Sequence, residues 1–450
     1  AKGKALLDIR DAKFSTNAGV TANLTSSYEG LDDSQLHIEN VQMDRVTSWL
    51  LVNLHDRAQL ATKNSPHLPP EIYPMDNSTV RIEGPRSTSG VWLHFPPGSS
   101  AVLDSLPSSH PFTFSFGRNT PGVKGIGYEV DVVDGNAGFG ISSFPHSNVT
   151  VRNSHVQVGY EFSDVTAPES LTGLKGGRQT GTYRNQGRVL DLENAELPPY
   201  GWQVYSSNAG IPLASVAPVT ITDSLINEMG ASKQGWFQAD HVQFAFAALA
   251  AVGPSSRVHV RDSVINSHTI MGNSDGVVRI EDSEIYGSRV QAIGRSRIFL
   301  LNTALLTNVR NPKCVPLLPP IKGSLPNCCN PYNPAREVHF VTSGEGAIWV
   351  AGIDPIAAAI RSGDKYTFVG DAIFKTLPEA PYTYNMRYRR ASASEFTAIV
   401  TGATGPKRGQ PLGQLDTTGL APGDYIVELE LMVPGKDPVT VRRPFTISTP

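Results

Sequence analysis

Residues 258–265 read Val258-His-Val-Arg-Asp262-Ser-Val-Ile265, and the pattern returns twenty and forty residues later as Val278-Arg-Ile-Glu-Asp282-Ser-Glu-Ile285 and Ile298-Phe-Leu-Leu-Asn302-Thr-Ala-Leu305. In each copy apolar residues alternate with other residues, and an Asn or Asp followed by a small residue precedes the last apolar position. The alternation predicts a short strand, and the Asn or Asp predicts a bend. A repeat of this length built from strands and bends predicts a solenoid.

Five more copies of the pattern lie toward the amino terminus, and they begin at Leu7, Leu36, Val149, Leu190 and Val219. A third strand per coil is available at 269–271 and again at 290–293. Three short strands and three bends would close one coil, with successive coils about 4.8 Å apart and apolar side chains stacked inside. The sequence therefore predicts an all-β chain that begins as a right-handed parallel β-helix.

The Asn and Asp residues of the repeat would form one column along the solenoid, including Asn194, Asp223, Asp262, Asp282 and Asn302. Such a column could be mistaken for a metal or catalytic cluster. Asn and Asp tolerate unusual backbone conformations and hydrogen-bond the chain two residues on, which a sharp bend requires. Because the same bend recurs in every coil, we interpret the column as structural, with the following Ser or Thr helping to satisfy exposed amides.

These repeats resemble those of right-handed parallel β-helix proteins of the pectate-lyase-like superfamily, including the NosD-like repeat families. The resemblance implies the fold and selects no chemistry, because that superfamily includes polysaccharide lyases, glycoside hydrolases, adhesins and structural surface proteins. We find neither the aspartate motifs of polygalacturonases, nor the arginine motif of pectate lyases, nor the Asp-Pro-His-Glu motif of alginate epimerases.

The composition predicts three parts: a parallel β-helix with loop insertions over 1–310, a Pro/Cys-rich linker or cap over 311–351, and a second β domain over 352–450. Long insertions such as 170–186 are expected as loops on the amino-terminal half. All three cysteines lie in the middle part, and in an exported protein they favour one disulfide from Cys314 to Cys328 or Cys329. One cysteine is left over.

The last hundred residues resemble a bacterial extracellular Ig-like module. The resemblance rests on Tyr366-Thr-Phe-Val-Gly-Asp-Ala372, on Tyr382-Thr-Tyr-Asn-Met-Arg-Tyr388, and on Leu415-Asp-Thr-Thr-Gly-Leu420 followed by Gly423-Asp-Tyr425. It implies a C-terminal Ig-like β-sandwich that serves as a spacer or attachment domain, with no catalytic residues to transfer.

Composition and charge limit the function classes. The net charge is -3, from 38 Lys and Arg against 41 Asp and Glu, which disfavours nucleic acid as a partner. The longest apolar run, 244–252, is far shorter than the roughly 20 residues of a membrane-spanning helix. Many turn-forming residues and few charges favour export. We expect a secreted or bacterial cell-surface protein whose signal peptide has been removed before Ala1.

One part of the solenoid, 233–297, is dense in ionisable residues, and it supplies the candidate site. The catalytic candidates are His241 and His268 as bases and Arg289 and Arg295 as groups that neutralise a uronate carboxylate. The candidates for substrate binding are Asp240, Trp236, Tyr286 and Asp275. The twenty-residue period places Asp275 near Arg295 on the adjacent coil. That pair has an alternative explanation, because opposite charges on neighbouring strands stabilise exposed sheets modestly.

Two functions are compatible with these features. The first is a secreted protein that acts on or binds polysaccharide, as a polysaccharide lyase or glycoside hydrolase if it is an enzyme. The second is a non-enzymatic surface protein, adhesin or filament that self-assembles as a homo-oligomer. The partners are accordingly polysaccharide or like subunits. No cofactor or metal motif is evident, and a calcium ion is compatible with the fold but has no motif to support it.

Overall fold

The computed structural model describes most of the chain. The described residues are 1–15, 22–44, 46–63, 65, 71–74, 79–83, 92–95, 100–104, 111–116, 128–133, 138–141, 147–152, 159–185, 188–197, 202–244, 248–266, 269–306, 338–356 and 358–449.

The chain is all-β, with a parallel β-solenoid of about 7 turns and 1% helix, which confirms the predicted fold class at that level. The described part of the chain holds one short 3₁₀ turn, Leu213–Ser215, and no helix with the length and apolar character needed to cross a membrane. Contacts divide the chain into two compact units, formed by the described residues of 1–210 and of 211–450.

The described residues of the first unit form twenty strands. They are β1 (Leu6–Arg10), β2 (Lys13–Ser15), β3 (Ala22–Gly30), β4 (Gln35–Glu39), β5 (Gln42–Asp44), β6 (Val46–Leu54), β7 (Gln59–Lys63), β8 (Glu71–Pro74), β9 (Thr79–Glu83), β10 (Trp92–Phe95), β11 (Ser100–Asp104), β12 (Pro111–Phe116), β13 (Tyr128–Val133), β14 (Gly138–Ile141), β15 (Ser147–Arg152), β16 (Gly159–Ser163), β17 (Glu169–Thr172), β18 (Gly177–Asn185), β19 (Arg188–Leu197) and β20 (Trp202–Ser207).

Two long ladders run through the first unit. One is parallel in the order β1-β4-β7-β9-β11-β13-β15-β19, and the other follows the order β14-β12-β10-β8-β6-β3. At the end of the first ladder β18 pairs with β19 in the antiparallel direction. The prediction of a loop over 170–186 was therefore wrong for 170–172, which belong to β17, and for 177–185, which form β18. Exposed and half-buried residues alternate in this strand from Gly177 to Tyr183. Its glycines are typical of loops, which is why the sequence did not predict a strand.

The second unit contains the remaining strands. They are β21 (Val219–Thr222), β22 (Leu225–Ser232), β23 (Trp236–Asp240), β24 (Gln243–Phe244), β25 (Ala248–Val252), β26 (Arg257–Arg261), β27 (Val264–Ile265), β28 (Thr269–Asn273), β29 (Val277–Glu281), β30 (Glu284–Tyr286), β31 (Arg289–Gly294), β32 (Arg297–Leu301), β33 (Ala304–Leu306), β34 (His339–Gly344), β35 (Ala347–Ile353), β36 (Ile360–Arg361), β37 (Lys365–Lys375), β38 (Thr383–Arg390), β39 (Thr397–Thr404), β40 (Lys407–Asp416), β41 (Gly423–Met432) and β42 (Val439–Ser448).

Each coil of the second unit contributes to two sheets. Sheet A contains β21, β23, β26, β29, β32 and β35, all parallel. Sheet B contains two parallel ladders, β24-β27-β30-β33 and β25-β28-β31-β34, joined through β22. The predicted third strands are β28 and β31. A further coil made of β34 and β35 lies within the part that the sequence assigns to a linker or cap.

The Asn/Asp column forms the bends that its residue types predict. Backbone φ is positive at Asp223, Asp262, Asp282 and Asn302, between 43° and 49°. His241 occupies the same position in the coil between Asp223 and Asp262, with φ of 52°. This left-handed conformation costs most L-residues roughly 1–2 kcal/mol, and Asn and Asp adopt it more readily. The column therefore sets the corner between sheets A and B.

The residue after each bend ties neighbouring coils together. The buried hydroxyl of Ser263 donates to the carbonyl of Arg261 at 2.5 Å and accepts the amide of Val242 from the preceding coil at 3.0 Å. Ser283 repeats the arrangement, since its hydroxyl accepts the amide of Ser263 at 3.1 Å. Thr303 donates to the carbonyl of Ile280 in the preceding coil at 3.2 Å and to that of Leu301 at 3.1 Å. A ladder of hydroxyl groups thus satisfies buried amides at the corner.

The carboxyl-terminal strands continue from the solenoid. β37 pairs antiparallel with β35 and then with β40, while β36, β42, β41, β38 and β39 form a separate five-stranded sheet, sheet C. Residues from both groups of strands share one buried cluster that includes Phe368, Leu415, Met386, Leu429 and Phe445. The predicted boundaries at 310 and 351 stay a prediction, and Cys314, Cys328 and Cys329, with the predicted disulfide, lie outside the described residues.

We expect Ser263→Ala to lower the free energy of unfolding by about 1–3 kcal/mol, because the buried amide of Val242 loses its acceptor. Urea denaturation measures the change. Ser394→Ala, which removes the same group from an exposed turn, serves as the control and should cost less than about 0.5 kcal/mol. Equal effects of the two substitutions would contradict the role of the hydroxyl ladder.

Candidate functional site

The outward face of sheet A carries the candidate site. Strand alternation decides which residues it presents, because successive side chains point to opposite sides of a sheet. The inward positions are fully buried, as at Val258, Val260, Val278 and Ile280. The positions between them are free to carry polar and aromatic groups toward solvent.

Parallel pairing arranges the outward residues in three columns. The middle column contains Gln238, His259, Arg279, Phe299 and Trp349. The columns on either side contain Trp236, Arg257, Val277, Arg297 and Ala347, and Asp240, Arg261, Glu281, Leu301 and Ala351. We call the set Arg257, His259, Arg261, Arg279 and Arg297 the arginine face.

Glu281 is the central acidic group of this surface. His259 Nε2 lies 2.8 Å from its Oε2, and the Nε of Arg279 donates to its Oε1 at 2.6 Å. The hydrogen bond from His259, followed by that from Arg279, lowers the pKa of Glu281 to about 2 against the opposing effect of burial. Glu281 is therefore ionised at all ordinary pH values and can orient the imidazole of His259.

Other arginines of the face are paired less completely. Arg261 donates to Asp240 at 2.9 Å. The guanidinium of Arg257 lies 5.4 Å from the ring centroid of Trp236, within cation–π range. Neither Arg257 nor Arg297 forms an ion pair with any residue in the described part of the chain, and both are exposed. Two guanidinium groups are thus available to an anion from solvent.

The arginine face ends at an aromatic cleft. Phe299 stacks on Trp349 with ring centroids 4.7 Å apart and planes at 17°. A cleft of about 520 Å³ adjoins them, and its lining is Arg279, Arg297, Phe299, Leu301, Trp349, Gly435, Lys436, Asp437, Pro438, Val439 and Thr440. The Nζ of Lys436 lies 5.8 Å from the Trp349 ring. Apolar ring surface and cationic groups therefore border the same space.

A second cleft, of about 350 Å³, lies at the bend column. Its lining is Asp262, Asp282, Ser283, Glu284, Asn302, Thr303, Ala304, Gly352, Ile353, Asp354, Pro355, Asp371 and Arg443. Burial is the largest cause that raises the pKa of Asp371, and Asp354 raises it further. Burial also raises the pKa of Asp282, while Arg443 opposes that shift. Asp282 and Asp371 thus border one cleft in which burial disfavours their charged forms.

The sequence-predicted residues are distributed over several surfaces. Trp236 and Asp240 lie on the outward face of sheet A beside the arginine face. His241 is a bend residue whose Nδ1 lies 3.2 Å from the Asp240 carboxylate. Asp275 and Arg295 form the expected ion pair between coils, with Nε 2.8 Å from Oδ1.

Two further candidates belong to sheet B. Arg289 begins β31 and is exposed there. Tyr286 is buried and its hydroxyl donates to Glu284 at 2.7 Å, so it is a core residue in the described structure. Burial is the main cause that raises its pKa well above the usual range. His268 lies outside the described residues.

One group of side chains could hold a metal ion. Asp240, His241 and Asp262 each offer a ligand atom, and these atoms lie within 4.8 Å of one another. Carboxylate and imidazole groups together suit a divalent transition metal. Arg261 already occupies one oxygen of Asp240, so a cation there would compete with the guanidinium.

Sequence reasoning missed His259, Arg279 and Glu281. The signal was present in the repeats themselves. His259, Arg279 and Phe299 occupy the second position of three copies that begin twenty residues apart. Residues at this shared position of successive repeats lie side by side on sheet A.

The free energy of unfolding should depend on pH through Glu281. Its pKa is lowered from 4.5 to about 2 in the folded protein, so its contribution is complete above about pH 5 and is lost as pH falls through 2. We expect Glu281→Gln to destabilise the protein by on the order of 2 kcal/mol at pH 6, and by much less near pH 2. Denaturant titrations at both pH values measure this. A difference that stays constant with pH would contradict the assignment.

Comparison of the chain with protein-family models, with curated proteins and with solved structures returned no match.

Proposed function

We propose that this protein binds an acidic polysaccharide along the arginine face. The observation that carries the proposal is the pair Arg257 and Arg297, which occupy one outward column, are exposed, and have no carboxylate partner among the described residues. Arg279 lies between them on the neighbouring column. A guanidinium presents a planar fork of donors that matches a carboxylate.

The spacing of these groups suits a polymer. Arg257 and Arg297 are two coils apart, which corresponds to about 9.6 Å at the usual distance between strands. Positive groups that recur along the solenoid axis can meet negative groups that recur along a polysaccharide. Trp236 and Phe299 provide apolar ring surface at two levels of the same face. A ligand with repeated anionic sugars would use both features.

Ion pairs within the face set a limit on its charge. Asp240 and Glu281 neutralise part of it through Arg261 and Arg279. The remaining positive charge is local, since the whole chain carries a net charge of -3. Exposed charges that lie farther apart than about 8–10 Å are screened at physiological salt. Binding should therefore depend on contact with the face and should weaken as salt is added.

β-Elimination is a second candidate function, and the contact between His259 and Glu281 favours it. An ionised carboxylate can only accept hydrogen bonds, so Nε2 of His259 donates to Glu281, and Nδ1 is the ring nitrogen that this contact leaves for proton transfer. His259 would take the proton from the sugar carbon that bears the uronate carboxyl group. The electron pair would form the new double bond while the bond to the neighbouring sugar oxygen breaks, and that oxygen would take a proton from water.

A non-enzymatic surface or filament protein remains the alternative. Free strand edges favour pairing between subunits. In sheet A the last parallel strand, β35, is already paired with β37 in the antiparallel direction, so that edge is occupied. This feature supports the binding function over edge-to-edge assembly at β35.

We place the protein outside the cell, at the cell surface or secreted, in keeping with its turn-rich composition. Residues 352–450 would serve as an Ig-like attachment module. Its support is the shared core between sheet C and the strands β37 and β40. A disulfide from Cys314 to Cys328 or Cys329 belongs to the same proposal.

The double variant Arg257→Ala/Arg297→Ala should bind acidic polysaccharide roughly 2- to 30-fold more weakly than the wild type, because two exposed ion pairs are lost. Isothermal titration with polygalacturonate, alginate and hyaluronan measures this, with dextran as the neutral polymer. The control Arg289→Ala/Arg295→Ala removes the same charge from residues outside sheet A. Equal weakening by both variants, or no binding by the wild type, would contradict the proposal. Ordered polymers without binding would favour the structural alternative.

For β-elimination we expect His259→Asn to slow turnover by about 10²–10⁴-fold, the usual contribution of a general base. Ultraviolet absorbance of the new double bond measures the rate. His241→Asn is the matched control, because Asn suits the bend conformation at that position. New reducing ends without ultraviolet absorbance from a double bond would instead indicate hydrolysis. Asp371→Asn would then test the second cleft, at the bend column.

A further inference from the structure

The aromatic cleft differs from the rest of the outward face because it is covered. Outward residues are exposed or half-buried on β26 and β29, whereas Trp349 on β35 is only 3% exposed. The turn between β41 and β42 lies over this end, since Gly435 and Lys436 line the cleft together with Trp349. A polymer that follows the arginine face toward β35 is therefore blocked by the turn between β41 and β42.

The cleft that Trp349 lines is large enough, at about 520 Å³, to hold a sugar residue. Trp349 itself is only 3% exposed and its Nε1 is buried, so the ring borders the cleft without offering its donor to a ligand. The groups that a sugar can reach are therefore those of the other lining residues.

The charges around the cleft specify the kind of sugar. Lys436 and Arg297 border it, and Arg297 has no ion-pair partner among the described residues. Asp437 is the acidic residue of the same lining. A carboxylate would meet two cationic groups here, while the Phe299 ring offers an apolar surface to the sugar ring.

We propose that the aromatic cleft binds the terminal uronate residue of an acidic polysaccharide, so that the arginine face recognises chain ends. The terminal sugar lies against Phe299, and its carboxylate faces Lys436 and Arg297. Internal sugars extend from the cleft along Arg279 toward Arg257. This inference rests on the proposed function, and it specifies the orientation of the bound chain and the position of its terminal residue.

The test uses the full chain and two probes, the trimer of galacturonate and the trimer of mannuronate. Quenching of tryptophan fluorescence and isothermal titration measure their binding. We expect Lys436→Ala to weaken binding of a trimer about 2- to 12-fold, the equivalent of one hydrogen bond, and Lys436→Glu to weaken it further because the charge is reversed. Both substitutions change an exposed turn, so neither removes a buried group from the core.

The controls separate this proposal from the one on which it rests. Lys365→Ala removes an exposed lysine elsewhere and should leave trimer binding unchanged. Two modified trimers test the requirement for a chain end, one reduced at the reducing end and one capped at the non-reducing end. One of these two should bind more weakly than the unmodified trimer. If polymer binding depends on Arg257 and Arg297 while trimers bind Lys436→Ala and Lys436→Glu as tightly as the wild type, the terminal site is wrong and the proposed function stands. If neither polymer nor trimer binds, both are wrong.

Discussion

Lateral register between coils is the constraint on which the structure of the second unit depends. Backbone pairing alone spaces the strands, but the hydroxyl ladder at Ser263, Ser283 and Thr303 and the left-handed bends beside it hold each corner over the one before. A shift of one residue in a strand would turn its inward side chains outward. The buried interior and the outward columns therefore exist together or not at all.

The repeat made the fold predictable from sequence. Alternation and the bend residues at Asp262, Asp282 and Asn302 are local features, and they specify the strands and corners that the structure contains. The coil at β34 and β35 was less visible, because its sequence follows a long Pro-rich insertion and lacks the Asn or Asp of the repeat. The strand at 177–185 was hard to predict for a different reason, because its glycines are typical of loops.

The candidate site was predicted only in part, and the reason is geometric. Density of charged residues along a chain indicates proximity in a compact fold, but in a solenoid residues twenty apart are neighbours and residues five apart face different directions. Trp236 and Asp240 reached the outward face of sheet A, whereas Arg289 and Tyr286 belong to sheet B. His259 and Arg279 occupy the second position of two of the repeats that identified the fold.

The columns of the outward face have a consequence for how such a surface can change over evolutionary time. Each coil is a self-contained unit that contacts only its neighbours, and its outward residues lie at a fixed pitch of about 4.8 Å. Duplication of one coil would lengthen the arginine face by one step and leave the covered end at Trp349 intact. In the proposed binding function, the number of coils between β26 and β35 would set how many residues of a ligand contact the face.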